Sequence, residues 1–329
     1  MRIGVYGAGA VGLVVGARLA RAGDEVVFLV RRPEVALRIQ AAGVRFEDPA
    51  SGEAWSARAR AVASAAELPE EFRPGPILFC MRASQTASAA CALAPVAPRA
   101  CVASFQNDLD NESILAEHFP VVIGAPLRQT CTRSASNEAR AIGAGRVVLG
   151  RHPSGGGPEL EALSRRLRAA GYEVGISERV AEDRWLKLCV NLMSTPNALI
   201  RRPDHVTRAF VEIKARLLEE ARDVLAAAGI AARSCDARDR SLEQEIEWQR
   251  ASLARGESAR PLPIYNQVWA ALRHGGPLEA DTYHRRILDL AARAGLVAPM
   301  NARVLEVLLR QAECRAGPES VAASEILES

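Results

Sequence analysis

Lys187, Asn191 and Thr195 recur every four residues through WLKLCVNLMSTP. That spacing stacks an amine, an amide and a hydroxyl on one stripe of a helix. Such a set can hydrogen-bond a polar small molecule and give it a proton. An ordinary solvated helix face has the same spacing, so composition has to add to the case. Of the 42 basic residues only Lys187 and Lys214 are lysines. Arginine keeps its proton at any working pH, whereas a buried lysine can release one. A chain that writes Arg almost everywhere and Lys here is consistent with a proton donor at 187. Lys214, inside the amphipathic IKARLLEEARD, reads as a surface residue. Pro196, just past the stripe, is expected to end or kink its helix.

A second cluster lies at residues 7–12, GAGAVG, directly after the apolar RIGVY and opening VGLVVGARLARAG. In that context Gly7 allows the tight turn, Gly9 lets backbone approach a pyrophosphate, and Gly12 lets helix and strand pack closely. Ala8, Ala10 and Val11 complete a loop whose helix-terminal N–H groups can hold phosphates. A glycine-rich turn without a ligand is the alternative. The next strand, EVVFLV, runs into Arg31 and Arg32 where an NAD site usually has an acid. A carboxylate there would repel a 2′-phosphate, whereas a guanidinium can hold it with charge-assisted bonds. The expected cofactor is therefore NADP(H); the alternative is that both arginines are merely solvated.

The elements that must position these groups fall into two textures. Through residue 179, short apolar runs at 2–6, 25–30, 75–82, 100–107, 121–127, 145–150 and 172–177 alternate with amphipathic stretches at 11–23 and 159–171. That pattern predicts an α/β class, a mostly parallel Rossmann-type doubly wound sheet with helices on both faces. From residue 180 the periods are helical: 182–200, 206–229, 236–256, 263–274, 279–295 and 300–315, with a loop at 256–263. The expected organisation is an NADP-binding Rossmann domain at 1–179, an all-α substrate and catalytic domain at 180–315, and a flexible tail at 316–329.

Composition narrows the function classes. The chain has 329 residues, 49% hydrophobic and 25% charged, with a formal net charge of +3. Its basic residues are dispersed among acids, so neither nucleic acid nor a membrane surface is an expected partner. The seven cysteines form no CxxC pair and the five histidines no ligand spacing. Reduced thiols and no metal site are expected. The first 20 residues resemble a signal peptide, but the glycines follow the dinucleotide grid and Arg18 interrupts the apolar run. The chain is expected in the cytoplasm, bound to a small molecule; a homodimer is compatible with the sequence, which does not fix the oligomeric state.

Taken in order, GAGAVG, Arg31, FQN with Asn107, WLKLCVN with Lys187 and Asn191, LEADTY with Glu279, and AGLVAPMNARVLEVL resemble the ketopantoate reductases (2-dehydropantoate 2-reductases) over essentially the whole chain to about residue 315. The resemblance implies an NADPH-dependent reduction of a 2-oxo acid to a 2-hydroxy acid, in pantothenate synthesis for true members. It implies Lys187 as general acid, Asn107 beside nicotinamide and substrate, and Asn191 as a substrate contact. Glu279 would hold the substrate hydroxyl or orient the lysine, and would adjoin the cofactor. An acid favoured by the helix dipole after Pro277 explains Glu279 equally well. Arg82 stands where the family usually has a cofactor-site Lys. Asp108 replaces a usual Gly, Thr195 a second Asn, Gln267 a Ser that contacts the substrate carboxylate, and Ala271 an Asp. Thr195 and Gln267 are carried over as substrate-binding positions. The departures fit a reductase whose oxo acid differs from ketopantoate. Two other readings stand: a relative acting on an imine, and a non-catalytic NADPH-binding sensor, which would have no use for a proton donor.

Overall fold

The computed structural model describes residues 1–256 and 265–327. The chain forms two compact units, Met1–Asp183 and Arg184–Ser329. The first contains β1 (Arg2–Tyr6), α1 (Ala10–Arg21), β2 (Glu25–Leu29), α2 (Pro33–Ala42), β3 (Val44–Asp48), β4 (Glu53–Ala57), β5 (Arg60–Val62) and β6 (Ile77–Phe79). It continues with α3 (Thr86–Leu93), β7 (Cys101–Ser104), α4 (Asn111–Ala116), β8 (Val121–Gly124), β9 (Leu127–Arg128), β10 (Cys131–Ala135) and β11 (Glu138–Ala141). Then come β12 (Arg146–Arg151), α5 (Pro158–Ala169) and β13 (Glu173–Ile176), before α6 (Val180–Leu192), which carries the chain across the boundary.

The large sheet runs β13-β12-β8-β7-β6-β1-β2-β5, with β9 paired to β12. Its strands from β5 to β8 pair in parallel, whereas β12 joins β8 antiparallel. The sheet is buried on both faces, so its strands are apolar without interruption. In β2, Val26 and Phe28 enter one core with Ile3, Leu13 and Ile39, and Val27 and Leu29 enter the opposite core with Phe79 and Leu93. This is the α/β doubly wound fold that the alternating texture predicts. The chain moves outward from β1 to β2 and returns on the other side of β1 to form β6. That reversal is a topological switch point, and doubly wound sheets receive ligands beyond the carboxyl ends of the strands at such a point.

A second sheet, β10-β11-β3-β4, was not legible in the apolar periods. It mixes antiparallel hairpins with a parallel β11–β3 pairing. Phe46, Ala139 and Ala141 from this sheet share the core of α1 residues Leu13 and Ala17. Asp48 fixes the turn after β3, accepting from the N–H groups of Ala50 and Gly143, both at 2.9 Å.

The second unit is helical: α7 (Ser194–Leu199), α8 (Arg208–Ala227), α9 (Leu242–Arg250), α10 (Gln267–His274), α11 (Glu279–Arg293), α12 (Pro299–Glu313) and α13 (Ala323–Leu327). Two expectations are corrected here. The period at 236–256 gives only α9, because Ser241 builds a capping box with Gln244 and starts the helix there. The tail expected to be flexible at 316–329 is docked as far as residue 327. Glu319 and Val321 donate backbone bonds to Ala198 and Leu199, and Val321 accepts one from Arg201. Val321 and Ile326 are buried, and Arg310 pairs with Glu325 at 2.6 Å. Apart from Gly256, the loop expected at 256–263 lies outside the described residues, as do residues 263 and 264 of the next helical period.

Candidate active site

The glycine loop carries the first set of groups. Gly7 has φ +107°, a backbone that L side chains rarely adopt, and a Cβ there would lie 2.8 Å from the N of Met81. A Cβ on Gly12 would lie 2.0 Å from the carbonyl oxygen of Gly7. Both glycines are therefore required by backbone packing alone. Gly9 differs: a Cβ there would have Cys80 O at 3.7 Å as its nearest neighbour, so its surroundings are open. Gly9 is the N-cap of α1 without a side-chain cap, and Leu13 makes the first helical bond, back to Gly9 O at 2.9 Å. The N–H groups of Ala10, Val11 and Gly12 precede that bond, beside Ala8, and form the positive end of the helix.

Basic residues follow the strands on either side of this loop. Arg31 follows β2 and Arg82 follows β6; both are exposed, and neither has an ion-pair partner among the described residues. Arg32 lies 3.5 Å from Glu34. Arg133, on β10, had no signal in the sequence; its Nη1 reaches Ala8 O at 3.5 Å. Beyond β7, Asn107 is half-buried in a loop fixed by its neighbours. Gln106 donates to Thr86 Oγ1 at 2.7 Å, Thr86 to Asn111 Oδ1 at 2.7 Å, and Asn111 to Asp108 O at 2.9 Å. Asp108, where the family's Gly is usual, accepts from Leu109 N at 2.7 Å.

In the helical unit, Lys187 lies on α6 with 9% of its surface exposed, and Asn191 lies one turn further on, half-buried. Lysine is seldom buried without a specific reason. The helix breaks at Met193 rather than at Pro196 itself. Pro196 lacks an N–H for the Leu192 carbonyl and its ring crowds that carbonyl, so the interruption falls one turn upstream. Pro196 then sits comfortably near the start of α7.

The break changes the part played by Thr195. It is fully buried on α7, and its hydroxyl is 2.9 Å from His284 Nε2. His284 Nδ1 is 2.9 Å from Asn301 Oδ1, and Asn301 Nδ2 donates to Glu220 Oε2 at 2.8 Å. Because the amide nitrogen of Asn301 faces Glu220, its oxygen faces His284. Nδ1 of His284 therefore carries the proton, and its bare Nε2 accepts from Thr195. Burial pushes the His284 pKa down to about 4, against the smaller opposing effects of Asn301 and Asp281. Thr195 thus belongs to an interior hydrogen-bond chain, in place of the substrate contact carried over from the family.

Gln267 is the exposed first residue of α10. Its predecessor Asn266 caps the helix through Trp269 N at 2.9 Å and donates to Ser194 O at 2.9 Å, tying α10 to α7. Glu279 is the half-buried first residue of α11, the helix that also carries His284. Asn266–Ser194 and His284–Thr195 therefore link α10 and α11, the bearers of Gln267 and Glu279, to the helix that follows Lys187 and Asn191. Cys189, two residues past the lysine in sequence, is fully buried, and burial pushes its pKa up to about 12, which marks it as packing rather than a nucleophile. Among the described residues no group of His, Cys, Asp or Glu is arranged to hold a metal.

A mostly parallel sheet with a glycine loop at its switch point, followed by a helical unit bearing a buried lysine, defines a two-part protein of the Rossmann-like α/β class. The profile described as "Ketopantoate reductase PanE/ApbA" matches residues 3–154, and that described as "Ketopantoate reductase PanE/ApbA C terminal" matches 179–312. The chain belongs to the ketopantoate reductase family, a family of oxidoreductases. It is 25% identical over 317 residues to a 2-dehydropantoate 2-reductase of Halobacterium salinarum, spanning 95% of this chain and 99% of that protein. A 2-dehydropantoate 2-reductase of Pyrococcus abyssi is 25% identical over 311 residues, 92% of this chain and 94% of its own. Among solved structures, a PanE/ApbA family ketopantoate reductase from Ralstonia eutropha superposes with a TM-score of 0.74 at 22% identity, covering 96% of this chain and all (100%) of that one. A D-mandelate dehydrogenase, solved with NADH and anilino(oxo)acetate, gives 0.78 at 18% identity over 96% of this chain and 100% of its own.

Proposed function

We propose that the chain is an NADPH-dependent reductase of a 2-oxo acid, forming the 2-hydroxy acid, with 2-dehydropantoate as its default substrate and pantothenate and coenzyme A synthesis as its setting. The observation that carries this reading is the buried Lys187 with Asn191 one turn along α6, in a chain otherwise almost free of lysine. The names of the curated relatives support the substrate class.

The residues present fit a nicotinamide dinucleotide. The open space at Gly9 and the N–H groups at the start of α1 suit a pyrophosphate, and Arg31 has no competing carboxylate. When bound, the reduced nicotinamide would supply hydride to the ketone carbon. Lys187 gives its proton to the ketone oxygen as negative charge gathers there. Its removal from water strengthens the attraction of its ammonium for that charge. Asn191 donates from its amide to the substrate, and Asn107, at the carboxyl end of the sheet, orients the reacting groups. Glu279 accepts from the substrate hydroxyl or from Lys187.

Gln267 and Ala271, with Thr195 committed to His284, favour a second substrate within the same class: a 2-oxo acid whose side chain differs from that of ketopantoate. Following NADPH absorbance with ketopantoate beside smaller, bulkier and aromatic 2-oxo acids tests both. Turnover of at least one is expected. Tight NADPH binding with no oxidation by any of them would replace the reductase by a sensor.

A further inference from the structure

Arg133 is delivered to the glycine loop by the small sheet, not by the doubly wound one. Its Nη1 makes a long contact, 3.5 Å, to Ala8 O. A guanidinium presents five N–H donors in a planar fork, so this contact leaves most of them available. Burial and then the positive charges of Arg32 and Arg82 lower its pKa, and no carboxylate acts in the other direction. Arg31 and Arg82 also lack ion-pair partners among the described residues, and Arg32 has only Glu34, at 3.5 Å. The arginines that follow β2 and β6 thus act electrostatically on a guanidinium that reaches the glycine loop, and among Arg31, Arg32, Arg82 and Arg133 the one ion pair among the described residues is that of Arg32 with Glu34. Like charges so placed repel one another, and a bound anion would turn that repulsion into attraction.

The position selects the anion. Arg31 and Arg32 follow the second strand, where a doubly wound fold receives the adenosine ribose, whereas the pyrophosphate faces the start of α1. We propose that Arg133 joins Arg31 in holding the 2′-phosphate of NADPH, with Arg32 and Arg82 adding to the positive field, and is a specificity-determining residue for the cofactor. This rests on reading the glycine loop as a dinucleotide site. It adds a residue from outside the doubly wound sheet, so the second sheet takes part in choosing the cofactor.

The test is calorimetric titration of the full chain and of Arg133→Ala and Arg133→Lys with NADPH, NADH and 2′-phospho-AMP. Arg133→Ala should weaken NADPH and 2′-phospho-AMP by about tenfold or more, the loss of a charge-assisted bond, while NADH changes by less than about twofold. Arg133→Lys should recover part of the loss, since it keeps charge without the fork. Equal losses for NADPH and NADH would assign Arg133 to the pyrophosphate and overturn the proposal. Undiminished NADPH binding would overturn it too, while leaving the NADPH reading intact if the unaltered chain still prefers NADPH. An unaltered chain with no such preference would overturn both. Thermal melting of each variant separates lost binding from lost folding.

Discussion

His284 should make the stability of the helical unit depend on pH in a direction that its interior bonds dictate. The imidazole is fully buried, gives its one proton to Asn301 and accepts from Thr195 at 2.9 Å on each side. Burial holds its pKa at about 4, below the ordinary 6.5. Between those values the unfolded chain binds a proton that the folded chain refuses. Stability is therefore complete above the unfolded pKa and is lost as pH falls toward the folded one. Integrated from about pH 7.5 to about pH 5, a depression of this size costs about 2 kcal/mol. His205 is also pushed down to about 4 by burial, so the unaltered chain loses stability to both groups. The informative quantity is the difference from His284→Gln, which cannot titrate. Urea unfolding of the two proteins at both pH values should show the variant less stable near neutrality, with the gap narrowed by about 2 kcal/mol in acid. A gap of the same size at both pH values would mean that His284 is not held neutral, and the interior chain from Thr195 to Glu220 would have to be redrawn.

Lys187→Ala should bind NADPH as before but reduce the ketone about 10²–10⁴-fold more slowly in single-turnover assays, and Lys187→Arg should fail likewise; full speed in either would remove the general acid. Arg31→Ala should weaken NADPH by about 1.5–3 kcal/mol and leave NADH nearly unchanged in fluorescence titrations, equal losses counting against a phosphate contact. Gly12→Ala places a carbon 2.0 Å from Gly7 O and should lower stability by about 1–3 kcal/mol in thermal melts, with loss of dinucleotide binding; a normal melt would contradict the close approach of α1 to β1.

The legible parts of this molecule are those whose cause is local. RIGVY-GAGAVG announces β1, its turn and α1 because the turn, cap and apolar period lie within a few residues of one another. The helix that carries Lys187 and Asn191 is legible for the same reason, the two lying one helical turn apart. Thr195 was not, because its partner His284 is 89 residues away and no spacing encodes that bond. The small sheet was hidden likewise: β3 finds its parallel neighbour β11 only after most of the unit has been built, and each strand alone is short and half polar. Arg133 inherits that invisibility, since nothing in TCTRSAS points to the glycine loop. The tail misled because it is held by backbone bonds to Ala198, Leu199 and Arg201, which leave no periodic trace.

The small sheet has a consequence for the proposed nucleotide site. With β3, β10 and β11 on its outer side and the large sheet on its inner side, α1 is gripped along its length, and Gly12 locks its first turn to β1. The shape of the glycine loop is thus set by packing within the unit. Under the proposed function, phosphates docking there would cost little conformational entropy, and affinity would follow charge and fit rather than the cost of ordering a loop.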